Sequence, residues 1–202
     1  MPSRELDHRF MRGMAVAAII GSIALIGSNV WGSLVVPDHD WISDTVSDLA
    51  AGRYEYIQDI GLYLYAIGVL AMALGLAHVG GRDTRWSVGV AALGLTAILI
   101  TVIGARNEYG DRDNEGVVVH IYIVYAMGLT FATAFFALAK GLTEMRSGYG
   151  AISIILGVMW CVGAVIFFVM PTSFDGIWER GLGVVTILWL CLAARALFVH
   201  GD

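Results

Sequence analysis

Along this chain, apolar residues gather in six stretches of about twenty, the length that carries a helix rising 1.5 Å per residue across a ~30 Å hydrocarbon layer. The stretches fall at residues 13–36, 60–79, 86–105, 117–139, 149–170 and 177–199, with most of the charge between them. Each predicts a membrane-spanning helix. The expected fold is therefore all-α: a polytopic six-helix bundle that uses residues 1–202 as a single membrane domain. The first stretch follows Arg4, Arg9 and Arg12, as a signal peptide's apolar region would. It is too long for that role and lacks a small-residue cleavage site, so it is read as a retained first helix.

Composition sharpens the picture. The chain is 58% hydrophobic and 14% charged, against about half and a quarter in soluble domains. Its mean hydropathy is +0.75. Twenty-five glycines and three prolines suit closely packed membrane helices. The net charge of −5 provides no basic surface for phosphates, which argues against a nucleic-acid partner. Two cysteines, Cys161 and Cys191, both inside apolar runs, exclude a disulfide framework and a cysteine-rich zinc module.

Loop charge predicts orientation. Eight of the twelve basic residues fall on the side of the termini, so that side is expected to be cytoplasmic and the protein a multi-pass component of the cell membrane. The opposite, outer side carries four basic against twelve acidic residues, a net of −8, and draws attention as the place for chemistry. The inner connections, at 80–85 and 140–148, are short and rich in glycine and charge, as helical hairpins require. The outer segment at 37–59 is longer. Ile42, Val46 and Leu49 recur there at spacings of four and three, while Asp44, Ser47 and Asp48 share another face. This predicts a short amphipathic helix on the membrane surface or over the bundle mouth, stopped near Gly52 and anchored by Trp41, Tyr54 and Tyr56.

Polar residues near the hydrocarbon need a partner or a function, since an ionisable group at a helix centre costs about 2.5–3.5 kcal/mol. His120, about one turn into the fourth stretch, reads as a proton carrier or ligand at the outer mouth, or as a neutral imidazole tying loop to helix. Glu179 and Arg180 open the sixth stretch. The acid suits a helix N-terminus; the cation opposes the dipole and is expected to pair with an outer carboxylate or to receive a lipid phosphate. Asp44 and Asp48 with Asp111, Asp113 and Glu115 supply oxygen ligands, but no calcium-loop spacing accompanies them, and a solvated acidic surface is the plainer account. Asn29 and Thr96, Thr101, Thr130, Thr133 and Thr186 read as interhelical hydrogen-bonding residues. Tyr65 to Val69 is echoed by Tyr125 to Leu129, a hint of duplicated hairpins. Motifs for zinc proteases, serine hydrolases, P-loops and redox dithiols are absent, and no metal or cofactor is expected.

The Asp44-Thr45-Val46-Ser47-Asp48-Leu49 motif after the first stretch, His120 in the fourth and the Glu179-Arg180 pair in the sixth resemble a prokaryotic six-helix membrane family, domain of unknown function 998. That family is distantly similar to the FGF-receptor-activating-protein and autophagy-modulator membrane proteins, some of which act in lipid-anchor remodelling or lipid distribution. The likeness covers nearly the whole chain, although Ala50-Ala51 stands where a glycine is expected, which moves the turn to Gly52. It implies that Asp44, Ser47, Asp48, His120, Glu179 and Arg180 form one outer site, without implying a reaction. The expectation carried forward is a membrane protein that binds or modifies a lipid headgroup there, with membrane lipids as its partners. The alternatives are a small cation or proton transporter or channel, and a non-catalytic scaffold.

Overall fold

The computed structural model describes residues 7–80, 83–105 and 119–200. Its elements are α1 (His8–Val35), α2 (Val46–Leu49), α3 (Glu55–Val79), α4 (Thr84–Ala105), α5 (Val119–Met145), α6 (Tyr149–Phe167), a 3-10 turn at Thr172–Phe174, and α7 (Asp175–Val199). All except α2 and the 3-10 turn are long and apolar enough to cross a membrane, giving the six helices expected. No strand occurs among the described residues.

The short connections at 80–83 and 146–148 make α3 and α4, and α5 and α6, antiparallel neighbours, and the packing of the long helices follows chain order around a ring. α1 packs on α3, α3 on α4, α4 on α5, α5 on α6 and α6 on α7, and α7 closes the ring against α1. Small residues set the closest approach. A Cβ added at Gly21 of α1 would stand 2.5 Å from the Leu64 carbonyl oxygen, and one at Gly68 of α3 would stand 3.2 Å from the Ala18 Cα. Lipid supplies no hydrophobic drive between helices, so such backbone contact is what joins α1 to α3.

Caps and turns are built from local chemistry. The Asp7 carboxylate accepts from the Phe10 N–H at 3.0 Å, and the Asp7 N–H donates to His78 Nε2 at 2.9 Å, which ties the start of α1 to the end of α3. Gly148 takes φ 85 at the α5–α6 hairpin, where a side chain would be strained. At the same end Lys140 Nζ lies 2.9 Å from Asp83 Oδ2, and this bond holds the Asp83 carboxyl below its ordinary range.

Aromatic rings fill the middle of the bundle. Phe131 lies 5.4 Å from Trp160, and Phe135 lies 5.3 Å from Trp189, measured between ring centroids. The polar atoms among them are satisfied: Trp189 Nε1 donates to Ser153 Oγ at 2.7 Å, and that hydroxyl donates to the Phe135 carbonyl at 2.6 Å. Threonines join helices as expected, through Tyr65 Oη to Thr186 at 2.7 Å and Thr96 to Thr130 at 2.8 Å; Thr101 and Thr133 instead bond their own helices. The two echoed pentapeptides have different surroundings. Tyr65 is buried and Gly68 packs on α1, whereas Tyr125 is half exposed and Gly128 has open space beside it.

The short helix expected in the first long loop is a single turn. Thr45 and Asp48 form a capping box: the Asp48 N–H donates to Thr45 Oγ1 at 3.0 Å, and the Thr45 N–H donates to Asp48 Oδ2 at 2.6 Å. That box starts the helix at Val46 and leaves Ile42 in the preceding turn, half exposed. The turn lies over the bundle, with Leu49 only 1% exposed. Gly52 takes φ 79 two residues past the Ala50 cap.

Candidate functional site

The site lies where α1 ends and α7 begins, and it is organised around a cation. Arg180, in the second turn of α7, donates from Nε to Asn29 Oδ1 at 3.0 Å. Its Nη1 donates to the carbonyl oxygens of Trp41 at 3.1 Å and Asp44 at 2.7 Å. Nη2 lies 2.9 Å from His39 Nε2, and the guanidinium carbon sits 4.3 Å over the Trp41 ring. The expected carboxylate pair is replaced by neutral acceptors. Asp44, Asp48 and Glu179 still surround the guanidinium and favour its charge without touching it. A planar, five-donor group suits such a node better than lysine would.

His39 completes the node. Its side chain is 2% exposed and its Nδ1 lies 3.5 Å from Asp44 Oδ2. A guanidinium can only donate, so His39 Nε2 accepts, which assigns the ring proton to Nδ1 on the Asp44 side. Burial, and then the charge of Arg180, lower the His39 pKa from 6.5, against the opposing pull of Asp44, Asp48 and Asp40. The imidazole is therefore neutral near pH 7.

Backbone bonds add to the clasp. The first amides of a helix have no intrahelical acceptor, and here the loop supplies acceptors: Gly176 N–H donates to the Ser43 carbonyl at 3.2 Å and Ile177 N–H to that of Ile42 at 3.0 Å. Glu179 Oε2 accepts from the Val46 N–H at 2.7 Å. Gly176 is required here, because a Cβ would run into the Asp44 carbonyl. The loop around residues 39–46 is thereby fastened to α7 and forms a roof.

Beneath the roof lies a cavity of about 580 Å³, lined by residues of all six long helices and mainly apolar. Its walls include Ile26, Leu62, Ile103, Met127, Phe167 and Leu182, one from each long helix, together with the packed rings of Phe131 and Trp160. Asn29, Ser47, His120, Glu179 and Arg180 reach it at the roof, and deeper in the bundle it is also lined by Tyr65 and Thr186, whose hydroxyls bond each other at 2.7 Å. Ser47 Oγ and His120 Nε2 stand 3.3 Å apart, and either can donate, depending on the imidazole tautomer. His120 is 7% exposed and lies at the roof end of α5.

All six candidate residues thus meet at one end of the bundle, with different tasks. Ser47, His120, Glu179 and Arg180 line the cavity. Asp48 completes the capping box, and Asp44 accepts from the Asp40 N–H at 2.9 Å and the Ser43 hydroxyl at 3.0 Å, so both carboxylates fold the loop. Sequence reasoning missed His39 and Trp41 as Arg180 partners and offered Asn29 as a helix-joining or pathway-lining residue without pairing it to Arg180. Asp111, Asp113 and Glu115 lie outside the described residues. Among the described residues, no group of three His, Cys, Asp or Glu side chains is placed to hold a metal ion.

A family model described as "Protein of unknown function (DUF998)" matches residues 15–196. No curated protein and no solved structure matches the chain.

Proposed function

The chain belongs to the DUF998 family of membrane proteins of unknown function, and on that premise we propose that it binds a membrane amphiphile, tail in the cavity and polar end against the roof. One observation carries this: a mainly apolar cavity of about 580 Å³ whose charged and imidazole groups gather at one end, the deeper Tyr65 and Thr186 hydroxyls being bonded to each other. That volume lies within the ~300–1,000 Å³ usual for ligand pockets, and the polar groups that fix orientation are few and grouped, as such pockets require. Ser47 and His120 offer a hydroxyl and an imidazole to the polar end, and Glu179 offers a carboxylate.

Arg180 takes a supporting part. It holds the roof, and moving it to a headgroup would break contacts with Asn29, His39 and two carbonyls. Large buried side chains, Phe135, Leu138, Leu142 and Trp189, fill the bundle farther from the roof, which favours binding over a path through the bundle. From the loop charges we place the roof on the outer face of the cell membrane and both termini in the cytoplasm.

The test is native mass spectrometry of gently extracted protein, with cavity-filling variants beside the wild type. Gly128 and Gly183 both line the cavity, and nothing lies within 4 Å of where either Cβ would stand. Gly128→Phe and Gly183→Phe are expected to fold, keep a near-wild-type thermal transition and lose the retained lipid. Variants that retain lipid as well as the wild type would place that lipid outside the cavity and leave the roof cluster a purely structural role.

A further inference from the structure

The tail of a lipid gains little by leaving bilayer for an apolar pocket, because lipid tails are as apolar as the cavity wall. Selection among lipids therefore falls to the roof. We infer, resting on the amphiphile reading above, that the roof selects an uncharged, hydroxyl-bearing polar end, as in a diacylglycerol, and rejects a phosphate.

Three observations carry this. Arg180 is the one lysine or arginine among the described residues lining the cavity, and four of its donor contacts, at 2.7 to 3.1 Å, go to neutral groups of the protein. Only one of its five N–H groups is left over, so the two-pronged grip a phosphate takes from a guanidinium would unfasten a contact that holds α1 or the roof loop to α7. Secondly, Glu179 lines the same mouth, and Asp44 and Asp48 act on the guanidinium with it, so an anion brought to Arg180 meets three carboxylates already there. Thirdly, a cationic head would need an aromatic face or an unopposed carboxylate. The Trp41 ring already has Arg180 over it at 4.3 Å, and that guanidinium repels a second cation. A hydroxyl suits what remains, since it can accept from the Ser47 hydroxyl and donate to the Glu179 carboxylate, which accepts at several lone pairs.

The experiment titrates purified wild-type protein in a mild detergent with three dioleoyl probes, dioleoylglycerol, dioleoylphosphatidic acid and dioleoyl-trimethylammonium-propane, and follows the complexes by native mass spectrometry. Dioleoylglycerol is expected to bind at least about tenfold more tightly than either charged probe, and to be displaced in Gly183→Phe. Glu179→Gln keeps an acceptor for the Val46 N–H and is expected to narrow the preference over phosphatidic acid severalfold. Phosphatidic acid binding as tightly as the diacylglycerol, or the cation binding more tightly, overturns the headgroup assignment while the cavity reading stands. Failure of all three probes to bind, or binding that Gly183→Phe leaves unchanged, overturns the cavity reading and this assignment with it.

Discussion

Gly176→Ala is the most incisive single change to the roof. The added Cβ would collide with the Asp44 carbonyl oxygen and stand 2.8 Å from Arg180 Nη1. The Asp44 carbonyl is backbone and cannot swing aside as a side chain could, so the loop must lift from α7. Lifting it breaks the 2.7 Å bond from Arg180 to the Asp44 carbonyl and stretches the Gly176 bond to Ser43 and the Ile177 bond to Ile42. A hydrogen bond to a charged group contributes about 1.5–3 kcal/mol and a backbone bond about 1 kcal/mol. Alanine's better helix propensity returns roughly 0.5–1 kcal/mol. The net loss is about 2–4 kcal/mol, or a fall of about 5–15 °C in Tm for a chain of this size. The assay is thermal unfolding in a single detergent, followed by tryptophan fluorescence. Gly181→Ala in the same helix is the control: nothing lies within 4 Å of its Cβ position, so its Tm is expected to hold or rise slightly. Equal transitions for Gly176→Ala and Gly181→Ala would refute the clasp.

Other outcomes test separate parts of the structure. The folded-state pKa of His39 lies below 6.5, so between that value and 6.5 the unfolded chain binds the extra proton; the histidine's contribution to stability is complete above about 6.5 and declines as the pH falls. Wild-type Tm should therefore drop more than that of His39→Gln, whose amide oxygen accepts from Arg180 without titrating, between roughly pH 7.5 and 5, and parallel curves would remove His39 from the clasp. Gln58 is fully buried with Nε2 unpartnered, while Ser28, its neighbour, also bonds the Leu25 carbonyl, so Gln58→Leu is expected to raise stability by about 1 kcal/mol in the same unfolding assay. Gly21→Val would push α1 off the Leu64 carbonyl, and a loss of about 1–3 kcal/mol is expected; an unchanged Tm would count against the close α1–α3 contact.

How much of this was readable in advance differs by element. The six helices were, because a span of about 20 apolar residues is a property of a single segment and needs no partner to be recognised. The single-turn helix α2 is half readable: the spacing marks Val46 and Leu49 as one surface and Ser47 and Asp48 as another, but it leaves unread the local capping signal Thr45-x-x-Asp48. Arg180 stood out as a cation in the wrong place for the helix dipole, yet its partners were hidden. They lie between 136 and 151 residues away in sequence, and two of the four are backbone carbonyls, which leave no trace in residue identity. His39 gave no sign either, since its role depends on a ring nitrogen meeting that guanidinium.

What the sequence by itself determined is therefore the number of helices, their apolar character and the concentration of polar candidates at one end. These follow from hydrophobic length and loop charge, which each segment carries alone. Tertiary structure decided which candidates face the cavity and which only fold the loop, and it created the cavity itself. Volume between helices arises from side chains that six segments present to one another, and the ring closure of α7 against α1 sets how closely they approach.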